Sequence, residues 1–341
     1  MKNSKSDFIL EGEKISIGGN RPCYIIAEIG INHSGDYFLA KKMIKTAFEC
    51  GANAAKLQIV DPEESYSKKS ESYKIFSQST LADEEIFNLV NNPDNKGLVF
   101  ATPGDFSSLK KCINSKMQLY KVSSGLINNY PLISKIVQTN KPLIISTGMA
   151  DLREVKCTVD YARSVGAINI ALLQCTSIYP APIETLNLLS IKSLKEKCKC
   201  VVGYSDHSLG WLASSTAVAM GAKIIEKHFT LDTTIPGADH KISLNPSSFM
   251  QMVEEIRSIE KMFGNSKKYP NSSEIKNKNS IRRFCVAKKK IKKGEKFTLE
   301  NIVFKRIGPD ELGIEVNEFN KIENKIAEKD YTIDDIIYCD K

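Results

Sequence analysis

Residues 201–230 read VVGYSDHSLGWLASSTAVAMGAKIIEKHFT. Two apolar, β-branched runs, VVGYSDH and AKIIEKH, close on His207 and His228, and a small-residue helical pattern separates them. Near-continuous apolar runs of this length are what a strand buried on both faces requires, so the stretch is a strand–helix–strand unit of a parallel sheet. In such sheets and barrels the chemistry sits at the carboxyl ends of the strands, where both histidines fall. Two readings stand at this level: a pair of metal ligands, or two hydrogen-bonded histidines of the core or rim.

Working outward, the same unit recurs. Candidate strands lie at 24–32, 54–60, 98–104, 119–125, 142–149 and 168–177, and those at 200–207 and 222–230 bring the number to eight. Amphipathic stretches such as DYFLAKKMIKTAFECG and LREVKCTVDYARSVG separate them, with apolar residues every three or four positions and Gly at their ends. Eight such units predict an α/β fold, a (β/α)8 TIM barrel over residues 1–264, with a doubly wound open sheet as the runner-up. Residues 265–280 turn polar, basic and aperiodic, which predicts a linker. Short β-branched runs broken by KKGE and IGPDELG then predict a small, mainly β domain over 281–341.

Composition narrows the function classes. With 42% apolar and 26% charged residues the chain is globular, and no run reaches the 18 apolar residues of a membrane span. The opening MKNSKSDFILEGEKISIGGN has no apolar h-region, and the nine cysteines are odd in number and scattered, which predicts reduced thiols and a cytoplasmic protein. The net charge of +8 is concentrated in residues 265–306, which hold 14 Lys/Arg against 3 Asp/Glu. That block lacks interleaved aromatics and any zinc-finger, RRM or KH signature, so neither nucleic acid nor membrane is expected as a partner.

At the carboxyl ends of the eight strands the residues are almost all polar: Glu28, Asn32 and His33; Lys56 and Gln58; Thr102; Lys121, Ser123 and Ser124; Ser146 and Thr147; Gln174, Thr176 and Ser177; Ser205, Asp206 and His207; Glu226 and His228. A lysine at a buried strand end is costly unless it meets an anion. Lys56, Lys121, Ser124, Ser146 and Ser205 together form a set of donors suited to a phosphate or carboxylate; the alternative is that the lysines pair with Glu28 and Glu226 as rim salt bridges. Two imidazoles near carboxylates suit a first-row divalent cation such as Mn²⁺, Co²⁺ or Zn²⁺. Asp239, in the loop after the eighth strand, either serves that cation's water or a substrate proton, or caps the following turn.

These residues sit in recognisable motifs. AEIGINHSGD, AAKLQ, YKVSSGLINNYPLI, LIISTGM, LLQCTSIYPAP, VGYSDHSLG, IIEKHFTLD and PGADHKISL, in this order, resemble the sialic acid synthase family of bacterial nonulosonate synthases (N-acetylneuraminate, legionaminate and pseudaminate synthases). KKKIKKGEKFTLENIVFKR resembles the SAF (antifreeze-like, β-clip) domain that follows the barrel in those enzymes, and the resemblance spans roughly residues 22–335. It implies condensation of phosphoenolpyruvate with an N-acylated hexosamine, N-acetylmannosamine or a related bacterial acetamido sugar, to a nine-carbon 2-keto acid and phosphate. It also implies a divalent metal, Mn²⁺ first with Mg²⁺ or Co²⁺ as alternatives, held by His207 and His228. Lys56, Lys121, Ser124, Ser146 and Ser205 correspond to the phosphoenolpyruvate site. Glu28, Gln58 and Asp239 take the catalytic positions, and Thr102, Tyr179 and Arg306 the sugar side. Arg306 stands in Lys305-Arg306-Ile307-Gly308, where the family has Lys-Arg-Pro-Gly, and the family arrangement is a domain-swapped homodimer in which this arginine reaches the partner's sugar.

Two positions depart from the family pattern. Leu126 replaces the glutamate of Ser-Gly-Glu after the fourth strand, and Ser177 stands where some members carry Asn. Both fall on the sugar side. The competing activities are another metal-dependent phosphoenolpyruvate–sugar phosphate aldol synthase and a non-catalytic carbohydrate- or ice-binding protein.

Overall fold

The computed structural model describes residues 7–10, 15–237, 239–308 and 311–338, divided into two compact units, 1–264 and 265–341. In chain order the strands are β1 (Phe8–Leu10), β2 (Ile15–Ile17), β3 (Tyr24–Gly30), β4 (Ala54–Ile59), β5 (Leu98–Pro103), β6 (Tyr120–Val122), β7 (Leu143–Ser146), β8 (Ile170–Cys175), β9 (Val201–Asp206), β10 (Ile224–His228), β11 (Phe284–Ala287) and β12 (Ile302–Lys305). Strands β3 to β10 close into one parallel barrel, β10 pairing back onto β3. The open-sheet alternative is thereby set aside.

Strand alternation divides each strand between two environments. Outward residues such as Ile25, Ala55, Val122, Ile145 and Leu172 pack on the surrounding helices. Inward residues Tyr24, Ile26, Ala54, Leu98, Phe100, Leu119, Ile144, Ala171, Leu173, Val201 and Ile224 form a separate apolar plug. Phe8, Leu10 and Ile17 of the antiparallel β1–β2 hairpin join that plug. Three-residue strands such as β1 and β2 carry too few alternations to stand out in the sequence.

Gly203 is the inward residue of β9 that lets the barrel close here. A Cβ at this position would lie 2.2 Å from the Ile224 carbonyl oxygen and 2.7 Å from Leu173 Cδ2. The helix that follows β9, Leu212–Ala219, buries Ala213, Ser214, Ser215, Ala217 and Val218, and its small side chains let it lie close against β9 and β10.

In the second unit β11 and β12 pair antiparallel, and isolated bridges such as Ile291 to Tyr331 and Val286 to Ile336 complete a small core around Cys285, Phe297, Ile302, Phe319 and Ile337. The stretch expected to be a linker, residues 265–280, overlaps a helix, Ser272–Ile281. It is started by a reciprocal cap, Glu274 N–H to Asn271 Oδ1 and Asn271 N–H to Glu274 Oε2, both 2.9 Å. Such a cap forms a helix start without an apolar stripe, which is why periodicity did not reveal it. No helix among the described residues is long and apolar enough to cross a membrane. The eight cysteines among the described residues are free.

Candidate active site

Above the apolar plug, the next inward position on most barrel strands is polar. Register sets Glu28 between two neighbours, His228 on β10 and Lys56 on β4. A bulge follows Glu28, and Gly30, at φ +57°, leaves the glutamate its space: a Cβ there would stand 3.1 Å from Glu28 Oε1.

The two lysines and two glutamates form one buried network. Lys56 Nζ lies 2.8 Å from Glu28 Oε2 and 3.6 Å from Glu226 Oε2, and donates to Thr102 Oγ1 at 3.1 Å. Lys121 Nζ donates to both oxygens of Glu226 at 2.8 and 3.0 Å, and Ser205 Oγ donates to Glu226 Oε1 at 2.9 Å. All four charged side chains are at most 5% exposed. The lysines therefore pair with the two glutamates, but inside the barrel rather than as salt bridges on its rim. Burial pushes the Glu28 carboxyl up to about 7 despite the Lys56 ammonium beside it. For Glu226 burial is outweighed by Lys121 and Lys56, which hold it well below the usual carboxylate range.

The two histidines lie with ring centres 5.4 Å apart. His207 Nδ1 donates to the Thr176 carbonyl at 2.8 Å, which leaves Nε2 as the nitrogen with a lone pair; the Tyr179 hydroxyl lies 3.1 Å from it. His228 Nδ1 is buried with no hydrogen-bond partner, and burial followed by the neighbouring His207 keeps this imidazole neutral. Asp239 Oδ2 lies 3.7 Å from that nitrogen. The Asp239 side chain makes no cap hydrogen bond to the turn His240–Ile242.

The ring nitrogens His207 Nε2 and His228 Nδ1, with the Asp239 carboxylate adjoining, are donor types that fit a divalent cation. Among the described residues no three His, Cys, Asp or Glu side chains group closely enough to form a complete metal site, and the two histidines are the candidate ligands.

The serines divide. Ser146 Oγ is buried and without a partner, Ser124 Oγ accepts from the Gly148 N–H at 3.0 Å, and Ser205 is committed to Glu226. Gln58, half-buried, and Thr102 line a cavity of about 420 Å³ beside the network, together with Val60, Tyr66, Phe76 and Leu126. Arg306 is exposed and follows β12 in the second unit. Two strand-end residues point away from the mouth: Gln174 Nε2 donates to the Leu186 carbonyl, and Asp206 lies under the helix Leu212–Ala219. Cys175 is buried and faces inward, with Sγ 3.7 Å from His207 Nδ1. Its parity with Ala171 and Leu173 is the signal that places it there.

A model of the NeuB family matches residues 43–268. The chain belongs to the NeuB family. As a NeuB-family protein it is a phosphoenolpyruvate-dependent condensing enzyme. It is 39% identical to the N,N'-diacetyllegionaminic acid synthase of Campylobacter jejuni, over 92% of this chain and 98% of that one. It is 32% identical to the N-acetylneuraminate-9-phosphate synthase of Homo sapiens, over 93% of each. Among solved structures, the N-acetylneuraminic acid synthetase of Leptospira borgpetersenii, crystallised with citrate, superposes with a TM-score of 0.75 at 35% identity, over 81% of this chain and 97% of that one.

Proposed function

We propose that this NeuB-family enzyme condenses phosphoenolpyruvate with an unphosphorylated N-acylated hexosamine, releasing phosphate and forming a nine-carbon 2-keto acid. The observation that carries this reading is the joining of two buried lysines through Glu226, which shares β10 with His228, at one barrel mouth with the two histidines. Lys56 and Lys121 would hold the phosphate and carboxylate of phosphoenolpyruvate, with the unpartnered Ser146 hydroxyl and Ser124 and Ser205 as further donors. Each ammonium has three N–H bonds, so Lys121 keeps a donor for substrate while bound to Glu226.

His207 and His228 would hold a divalent cation, Mn²⁺ in the first instance and Mg²⁺ or Co²⁺ otherwise; when bound it supplies Lewis-acid polarisation of the sugar's aldehyde oxygen. The enol carbon of phosphoenolpyruvate attacks the aldehyde carbon, water adds to the second carbon, and the tetrahedral product loses phosphate by C–O cleavage. Glu28, whose carboxyl exchanges its proton near neutrality, accepts the proton of that water. Asp239 and Gln58 orient the reacting groups from either side, and Thr102 and Tyr179 face the sugar.

The choice of sugar rests on the cavity beside Thr102. Its walls include Leu126, Val60, Tyr66 and Phe76, its charged groups are Glu64 and Asp105, and among the described residues no Lys, Arg or His lines it. Such a surface suits a deoxy, acetamido-bearing acceptor and opposes a sugar phosphate. Likeness to the diacetyllegionaminic acid synthase favours a 2,4-diacetamido-trideoxyhexose over N-acetylmannosamine. We assign the second unit as an SAF (β-clip) domain that delivers Arg306 to the partner's sugar in a domain-swapped homodimer, and the free cysteines suit a cytoplasmic enzyme. Incubation with phosphoenolpyruvate, Mn²⁺ and a panel of aldoses tests this: phosphate release with N-acyl hexosamines, abolished by chelator, is expected. Release only with simple sugar phosphates would make it the other kind of aldol synthase, and sugar binding without release a non-catalytic protein.

A further inference from the structure

Behind the two histidines, on the outer face of the barrel wall, lies a second buried ion pair that takes no part in the site. Lys227 and Asp206 are Cα partners on β10 and β9, both 0% exposed, with Nζ 3.3 Å from Oδ2. Each immediately precedes one of the histidines, so strand alternation turns Asp206 and Lys227 toward the helix layer and His207 and His228 toward the barrel axis. Asp206 Oδ1 accepts from the Ser208 N–H at 2.8 Å and from Ser208 Oγ at 2.7 Å, and its Oδ2 accepts from Ser214 Oγ at 2.7 Å. Lys227 Nζ donates to the Ser208 carbonyl at 2.5 Å. His207 is thus bracketed by two residues, Asp206 and Ser208, that are both tied to the side chain preceding His228.

Two opposite charges out of contact with water are no more stabilising than a well-packed apolar pair, so stability does not account for their presence. What the pair supplies is a fixed distance: it joins the ends of β9 and β10 through side chains that neither strand's backbone ladder provides beyond Asp206. We infer that Lys227 and Asp206 are positioning residues that hold the separation of His207 and His228, and so the affinity of the divalent cation. The inference rests on the reading of the two histidines as the cation's ligands.

The test is Mn²⁺ affinity, measured by calorimetry on the full chain without substrate, in the double variant Asp206→Asn/Lys227→Met. This variant removes both charges while keeping an acceptor for Ser208 and a partner for Ser214. The melting temperature is expected to stay near that of the wild type while Mn²⁺ binding weakens by about 10- to 100-fold, the size typical of losing an outer partner of a metal ligand. The KM for phosphoenolpyruvate, whose lysines lie elsewhere on the wall, is expected to hold. Mn²⁺ affinity within twofold of the wild type would overturn the inference. If the double variant does not fold, Ser214→Ala decides: a weaker version of the same loss supports the inference, and unchanged affinity overturns it. His207→Ala and His228→Ala are measured alongside. Retained affinity in these removes the ligand reading itself, whereas loss in them with retention in the double variant removes only the positioning role.

Discussion

Lys121 and Glu226 stand 105 residues apart in the chain and on opposite strands of the barrel, yet Lys121 Nζ lies 2.8 and 3.0 Å from the two Glu226 oxygens. The pair spans the barrel interior, and Glu226 also faces Lys56 at 3.6 Å. Its removal leaves Lys121 charged, buried and unpaired. Glu226→Leu is expected to destabilise the fold by about 3–5 kcal/mol, lowering the melting temperature by roughly 10 °C. Thermal unfolding checks this; an unchanged melting temperature would mean that the network carries no structural share.

Asp239 reaches His228 rather than capping its own turn. Asp239→Asn keeps the shape and removes the charge, so kcat is expected to fall by roughly 10²- to 10⁴-fold with the fold intact. Steady-state kinetics beside a melting curve separate the two effects. A variant with wild-type kcat would return Asp239 to a structural role.

The Glu28 carboxyl is raised to about 7 by burial, against the opposing pull of Lys56. A base must be ionised to accept a proton, so kcat/KM is expected to rise with pH through about 7. Glu28→Gln should abolish that limb and lower the plateau by a factor of the order of 10² or more. A limb that persists in the variant belongs to another group.

Stability should move with pH through His33. Its buried ring is held down to about 4 from an ordinary 6.5, chiefly by desolvation. Between those values the unfolded chain binds a proton that the folded one does not, so this contribution is complete above about 6.5 and is lost as pH falls through 4. The loss amounts to roughly 3 kcal/mol. Denaturant unfolding of His33→Gln from pH 7 to 4 should show a shallower decline than the wild type; identical slopes would assign the acid sensitivity elsewhere.

The barrel was legible because its strands are buried on both faces and therefore read as unbroken apolar runs: each of β3 to β10 lies within its expected segment. The polar mouth was legible by the same logic, since Lys56, Lys121 and Glu226 interrupt such runs. Parity within a strand carries the remaining information. It separates Glu226 and His228, which face the axis, from Lys227 and Asp206, which do not, and it brings Cys175 inside. Long-range pairing was not legible: nothing local to Lys121 announces Glu226, and the β1–β2 hairpin is too short for its alternation to register. In the second unit much of the strand pairing outside β11–β12 is by isolated bridges, which leave no periodic trace.

The most direct measurement is the mass of the product formed from phosphoenolpyruvate, Mn²⁺ and 2,4-diacetamido-2,4,6-trideoxymannose, with inorganic phosphate followed in parallel. Expected is one phosphate released per molecule of a nine-carbon keto acid whose mass equals the sugar plus phosphoenolpyruvate plus water less phosphoric acid, and no product after His228→Ala. Absence of product from this sugar and from N-acetylmannosamine, or turnover only with N-acetylmannosamine 6-phosphate, would contradict the proposed condensation with an unphosphorylated acceptor.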